Sequence, residues 1–278
     1  MTGIVDAHLH LWELGEGRYG WLGSGKGPLC RSFRAEEAAI ELAAAGVSSA
    51  VLVQADDTDD DTDRMLAVAA DNAWVAGVVG WVDLADPRAT EARLDEIAAD
   101  PVLCGIRHLV HADPDPWFLD RPEVATSLAL LARRRLAFDV PDAWPRHLDQ
   151  ATSIARGIPE LTVVLDHLGK PPRGGDLTGW RRALERFAAV PNTVAKVSGL
   201  HVEGTECSPA ALTEIWLVAL EAFGPERLMW GGDWPMTVPH GGYAPTFDVL
   251  GELIRTLSAT EQQRVLGDTA RQVYRLAR

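Results

Sequence analysis

Short, nearly continuous apolar runs alternate with amphipathic stretches along the whole chain. Eight runs read as strands, over residues 4–11, 49–54, 75–82, 103–110, 136–140, 161–166, 194–199 and 227–231. Residues 75–82 are apolar almost without interruption, as expected of a strand buried on both faces. Between and after these runs, helical composition covers 35–45, 64–72, 89–99, 122–134, 148–156, 177–189, 209–223, 246–257 and 260–274. Gly46 stops the first helix, and Pro122 opens the fourth at a position where a missing N–H costs nothing. Eight β runs, each followed by a helix, predict an α/β fold, a (β/α)8 TIM barrel. A doubly wound sheet is the alternative, but no glycine-rich dinucleotide fingerprint follows the first strand. No linker divides the chain, so residues 1–278 are expected to form one domain.

Composition narrows the class. Of 278 residues, 47% are hydrophobic, enough for one large core. No apolar window is long enough for a transmembrane helix, and the first residues lack the basic and apolar regions of a signal peptide. The net charge of −14, with no basic cluster larger than Arg133-Arg134-Arg135, excludes nucleic acid as an expected partner. Three scattered cysteines, Cys30, Cys104 and Cys207, without a CxxC pair, predict a reduced cytoplasmic protein. Cys104 lies in an apolar run and is expected in the core. The acidic run Asp56–Asp63 lacks the central Gly and closing Glu of a calcium loop, and reads as a solvated loop and helix start.

In a barrel of this kind the chemistry sits at the C-terminal ends of the strands. Those ends carry His8 and His10, Gln54, Trp81 and Asp83, Arg107 and His108, Asp139, Asp166 and His167, Lys196 and Ser198, and Asp233. His8 and His10 are two residues apart on a strand, so both imidazoles face one side, about 6–7 Å apart. His8, His10, His167 and Asp233 form a set of three histidines and one aspartate. Two chemistries suit it: one bound divalent ion such as zinc, or protonated imidazoles polarising a carbonyl without metal. Asp233 is the candidate general base, with Gly231-Gly232 before it leaving room for a ligand. Arg107 and His108 are candidate substrate contacts, the arginine as a fork of donors for carboxylate or hydroxyls. Lys196 on a buried strand requires either a substrate contact or an internal carboxylate. Trp12, Trp21, Trp81 and Trp234 lie near strand ends and are candidate pocket walls, with core packing as the alternative, and Asp166 is a candidate neighbour of substrate. No GxSxG elbow supports Ser198 as a nucleophile.

Several stretches together resemble the amidohydrolase superfamily. They are Asp6-Ala7-His8-Leu9-His10-Leu11-Trp12, Gly77-Val78-Val79-Gly80-Trp81-Val82-Asp83-Leu84, Gly105-Ile106-Arg107-His108, Leu165-Asp166-His167-Leu168-Gly169-Lys170-Pro171-Pro172, Lys196-Val197-Ser198-Gly199-Leu200 and Arg227-Leu228-Met229-Trp230-Gly231-Gly232-Asp233-Trp234-Pro235. The chain is most similar to the lactonase-like group that includes L-fuconolactonase, L-rhamnonolactonase and 2-pyrone-4,6-dicarboxylate lactonase. The resemblance implies a barrel hydrolase that opens a small-molecule lactone. It places His8, His10, His167 and Asp233 at the active site and Arg107 and His108 at the substrate. Where binuclear members of the superfamily carry a bridging lysine or glutamate on strand four and a histidine on strand five, this chain has Arg107-His108 and Asp139. The expected cofactor is therefore a single divalent ion, zinc first, with metal-independent chemistry as the alternative. The reaction expected is opening of a sugar-acid lactone such as L-fuconolactone or L-rhamnonolactone by water. The alternatives are a metal-dependent decarboxylase of the same superfamily and a lactonase of an aromatic-degradation intermediate.

Overall fold

The structure, a computed structural model, describes residues 3–15, 18–97 and 100–276. Eight parallel strands follow one another in order: β1 (Ile4–Leu9), β2 (Val47–Val53), β3 (Val75–Gly80), β4 (Leu103–Arg107), β5 (Ala137–Val140), β6 (Val163–Leu165), β7 (Thr193–Val197) and β8 (Leu228–Trp230). Each pairs with the next. The ring closes between first and last: the Asp233 N–H donates to the His8 carbonyl and the His10 N–H to the Trp234 carbonyl, both at 2.7 Å. This is the expected (β/α)8 barrel, nearly closed as a sheet and sealed by the residues just past β1 and β8.

Helices cover the outside: α1 (Ala35–Ala44), α2 (Asp59–Asp71), α3 (Pro87–Ile97), α4 (Pro122–Arg134), α5 (Leu148–Gly157), α6 (Thr178–Ala188), α7 (Pro209–Phe223) and α8 (Tyr243–Ile254). The last two residues expected of the helix at 89–99 lie outside the described residues. α2 starts five residues before its expected position. Thr58 caps it by accepting from the Asp61 N–H, and Asp59, Asp60 and Asp61 in the first turn complement the helix dipole. The helix start expected in the acidic run is there, but the run is not solvated throughout. Asp61 is buried and accepts from the Tyr19 hydroxyl at 2.7 Å and the Ala55 N–H at 2.7 Å. The expected closing helix is broken into α9 (Ala259–Gln263), a π-helical turn at Arg264–Asp268, and α10 (Thr269–Tyr274). In that turn Gly267 lies so close to the Gly3 carbonyl that a Cβ would stand 3.0 Å from it. Among the described residues no helix is long and apolar enough to cross a membrane.

Period-two alternation divides the apolar residues into two layers. One fills the space between strands and helices. The other lies inside the barrel and includes Val164 and Val194, closed from below by Tyr274 and Leu276. Buried Cys104 belongs to this inner layer. Asp139, Asp166 and Lys196 follow Ala137, Val164 and Val194 by two residues, so the same alternation turns three charges inward above the apolar floor.

Candidate active site

β1 brings His8 and His10 to the top of the barrel, and Asp6 anchors that end. Its carboxylate accepts from the His8 N–H and the Gly232 N–H, both at 2.8 Å, and from the Tyr243 hydroxyl at 2.8 Å. The glycines before Asp233 make room for this strand rather than for a ligand. A Cβ on Gly231 would stand 2.7 Å from His8 Cβ, and one on Gly232 would stand 2.4 Å from the Tyr243 ring. Asp233 itself adopts φ of 53°, a left-handed conformation that a non-glycine residue holds only when its surroundings enforce it. His167 lies in a left-handed run, with φ of 55° at His167, 53° at Leu168, 72° at Gly169 and 64° at Lys170. Two bonds pin this run: the Trp180 indole N–H donates to the Leu168 carbonyl, and the Trp144 N–H to the Gly169 carbonyl, both at 2.8 Å.

All four residues of the histidine–aspartate set converge. His8 Nε2 and His10 Nε2 are 3.0 Å apart. Asp233 Oδ1 lies 3.5 Å from His10 Nε2, 3.8 Å from His8 Nε2 and 3.9 Å from His167 Nε2. That oxygen is buried and forms no hydrogen bond to the described residues. Burial opposes the charge on Asp233, but the surrounding imidazoles, His167 foremost, outweigh it and hold the carboxyl well below its usual range. Burial pushes the His8 imidazole well below its ordinary value and His167 below its own, against the pull of the neighbouring carboxylates. Ser198, at 2.9 Å from His167 Nδ1, orients that ring. A Cβ on Gly199 would stand 2.3 Å from the same nitrogen.

The donor set fits one divalent ion. The His10 Nδ1–H donates to the Val53 carbonyl at 2.7 Å. That bond leaves the Nε2 lone pair free for a ligand. His8, His10 and Asp233 each offer an atom within 4.8 Å of the others, and one of these atoms is the unpartnered carboxylate oxygen. Beneath His8 stands a buried charge network. Lys196 Nζ lies 3.1 Å from His8 Nδ1, 2.6 Å from Asp139 Oδ2 and 3.0 Å from Asp166 Oδ1. Tyr274 donates to the same Asp139 oxygen at 2.6 Å. Burial works against both charges of the Lys196–Asp166 pair. Attraction prevails: Asp139, then Asp166, raises Lys196 above its ordinary value, and Lys196 foremost holds Asp166 well below its own.

The expected substrate contacts divide. A cavity of about 480 Å³ opens above the histidines and Asp233, lined by His10, His167 and Asp233 and by Trp12, Trp21 and Arg107. Lys196 and Asp166 have no exposed surface and are engaged with each other, so neither reaches the cavity. His108 stacks on Phe118, accepts from the Trp81 indole at 3.2 Å and lies 2.9 Å from Asp113, which consumes its polar atoms away from the cavity. Trp234 is buried edge-on against Phe33. Arg107 borders the cavity, but its guanidinium donates to Asp166 at 3.1 Å and to the Gln54 carbonyl. Of the four tryptophans expected as walls, Trp12 and Trp21 line the cavity and Trp81 and Trp234 do not; Lys26, His111, Asp142 and Lys170, also on the lining, were not foreseen. Asp142 follows β5 by two residues, so the logic of strand ends could have found it.

The family model described as amidohydrolase matches residues 5–276. The chain is 34% identical over 286 residues to an L-fucono-1,5-lactonase of Burkholderia ambifaria, covering 100% of this chain and 97% of the relative. It is 33% identical to an L-fucono-1,5-lactonase of Burkholderia multivorans, covering 98% and 96%. A crystal structure of a Burkholderia multivorans amidohydrolase with bound zinc superposes with a TM-score of 0.88 at 30% identity, over 99% of this chain and 100% of that one. With its barrel, its centre of three histidines and an aspartate, and a family match over nearly its whole length, the chain belongs to the amidohydrolase family.

Proposed function

We propose that the protein hydrolyses the lactone of a sugar acid. The observation that carries this reading is the buried, unpartnered Asp233 Oδ1, ringed by three imidazoles at the floor of a cavity of about 480 Å³, within the range of small-molecule sites. Full-length similarity to two L-fucono-1,5-lactonases supports the reaction class. Water attacks the lactone carbonyl while Asp233 accepts its proton, and Asp233 then returns that proton to the leaving alkoxide. With the Ser198 hydroxyl donating to its Nδ1, His167 keeps its hydrogen on Nε2 and aims it at the cavity, where it stabilises the oxyanion. His8 and His10, with Asp233, would hold a divalent ion, which supplies polarisation of the carbonyl and a lowered pKa for water. Trp12 and Trp21 wall the ring and exclude bulk water.

A pH-indicator assay over a panel of aldonolactones and 2-pyrone-4,6-dicarboxylate, with and without chelator, tests this. Acid release far above the spontaneous rate for a sugar lactone is the expected result. Folded protein that releases no acid from any aldonolactone overturns the proposal.

A further inference from the structure

We infer that Asp142 and Lys170 form a hydroxyl-reading pair, which selects a polyhydroxylated, uncharged lactone ring over a dicarboxylate. The inference rests on the lactonase reading and names its substrate class. Asp142 follows β5 and Lys170 follows the left-handed turn after β6, and both line the cavity. The Trp144 N–H to Gly169 carbonyl bond ties these two loops together, so backbone bonding helps hold the residues side by side. Asp142 Oδ1 and Lys170 Nζ are 3.9 Å apart, too far for a direct hydrogen bond. That carboxylate oxygen is buried and forms no hydrogen bond to the described residues. A buried acceptor without a partner costs free energy that a ligand donor recovers.

Three other polar side chains on the same wall, those of Trp12, Trp21 and Arg107, are already engaged. The Trp12 indole donates to the Arg31 carbonyl and the Trp21 indole to the Ala55 carbonyl, both at 2.7 Å, and Arg107 serves Asp166. An acceptor and a donor 3.9 Å apart match the needs of two neighbouring hydroxyls, one giving a hydrogen and one taking it. Their charges cancel, so the pair offers a carboxylate no net attraction. Asp142 and Lys170 both hold positive φ, at 45° and 64°. Such strain persists where the function of a cavity repays it.

The test compares Asp142→Asn and Lys170→Gln with the wild type on D-glucono-1,5-lactone and on δ-valerolactone, which has the ring without hydroxyls. The expected result is a fall of at least about tenfold in the ratio of kcat/KM for the hydroxylated over the bare lactone in each variant. Asp142→Asn should also raise relative activity on 2-pyrone-4,6-dicarboxylate. A parallel loss on both lactones, or no loss on either, overturns the inference. Binding of D-glucono-δ-lactam against δ-valerolactam by calorimetry separates it from the lactonase reading. Protein that turns over no lactone but discriminates the two lactams through Asp142 and Lys170 supports the pair while removing the reaction. Lactam binding indifferent to both substitutions overturns the pair even if turnover is seen.

Discussion

His10 Nδ1 stands 2.7 Å from the carbonyl oxygen of Val53, and this contact decides which imidazole nitrogen faces the cavity. A backbone carbonyl can only accept, so Nδ1 carries the hydrogen and Nε2 presents its lone pair to His8 and Asp233. His10→Ala should therefore lower zinc affinity by at least about tenfold, since even an outer partner of a metal ligand is worth that much. Equilibrium dialysis with elemental analysis reads the effect, with one ion per wild-type chain as the reference. Unchanged zinc content in His10→Ala would place the metal elsewhere.

Asp233→Asn preserves the shape of the side chain and removes its ability to take a proton. The kcat for lactone opening should fall about 10^2- to 10^4-fold. The far-UV circular dichroism and unfolding midpoint should stay close to those of the wild type. Turnover within a few-fold of normal would remove Asp233 from the proton path.

Lys196→Met takes away the one cation that Asp139 and Asp166 share, leaving Asp166 with Arg107 and Asp139 with the Tyr274 hydroxyl. Breaking a buried pair from one side costs about 3–5 kcal/mol, which urea denaturation should show. Adding Asp139→Leu should restore part of the loss, because one of the stranded charges goes with it. If Lys196→Met unfolds at the wild-type urea concentration, the network carries no stability.

Gly199→Ala places a Cβ 2.3 Å from His167 Nδ1 and 2.7 Å from Asp233 Oδ2, at a φ of 54°. Alanine resists that left-handed backbone even where space allows it. Activity should drop at least about tenfold, since small misplacements of reacting groups are costly. The reduced rate should come with a lower melting temperature. A fully active Gly199→Ala protein would mean that the ring of His167 is free to move aside.

Burial raises the Asp6 carboxyl to about 6, against the lowering effect of the Gly232 and His8 N–H groups and the Tyr243 hydroxyl. Folded protein therefore binds this proton more tightly than unfolded chain does. The Asp6 contribution to stability should fall as pH rises from about 4 to about 6, by roughly 1.4 kcal/mol for each pH unit crossed in that window, while the depressed His8 and His167 imidazoles contribute in the opposite sense there. Asp166 and Asp233, held below their ordinary values, act in the opposite direction only at lower pH. Urea unfolding at several pH values should show the stability of Asp6→Asn gaining on that of wild type as pH rises through this window. Parallel curves would mean that Asp6 is already ionised throughout.

The barrel was legible because its strands are apolar runs of the right length and number. The longest runs, 4–11, 75–82 and 103–110, are two or three residues shorter as strands, because their last residues belong to the loops above the barrel. The three histidines and Asp233 were legible for a related reason. His8 and His10 share a face by spacing, and His167 and Asp233 sit directly after strands. Lys196 and Asp166 sit at or just past strand ends too, yet point into the protein. Nothing local distinguishes an inward charge that meets substrate from one that meets another charge, because the partners Asp139, Asp166 and Lys196 come from three different strands. Asp142, His111 and Lys26 were missed because loop positions have no periodicity to read. Their place on the cavity wall depends on how neighbouring loops are bonded, as Trp144 is to Gly169.

The two hydrogen bonds that seal the barrel come from the main chain of the candidate site and its neighbour: Asp233 with His8, and His10 with Trp234. A half-built or unzipped ring has no site to be weakly active with, because the first and last strands must meet before the imidazoles and the carboxylate face one another. Catalysis is therefore an all-or-nothing report on whether the cylinder has shut. During refolding, recovery of turnover should lag behind the recovery of helical signal by the time the seam takes to form.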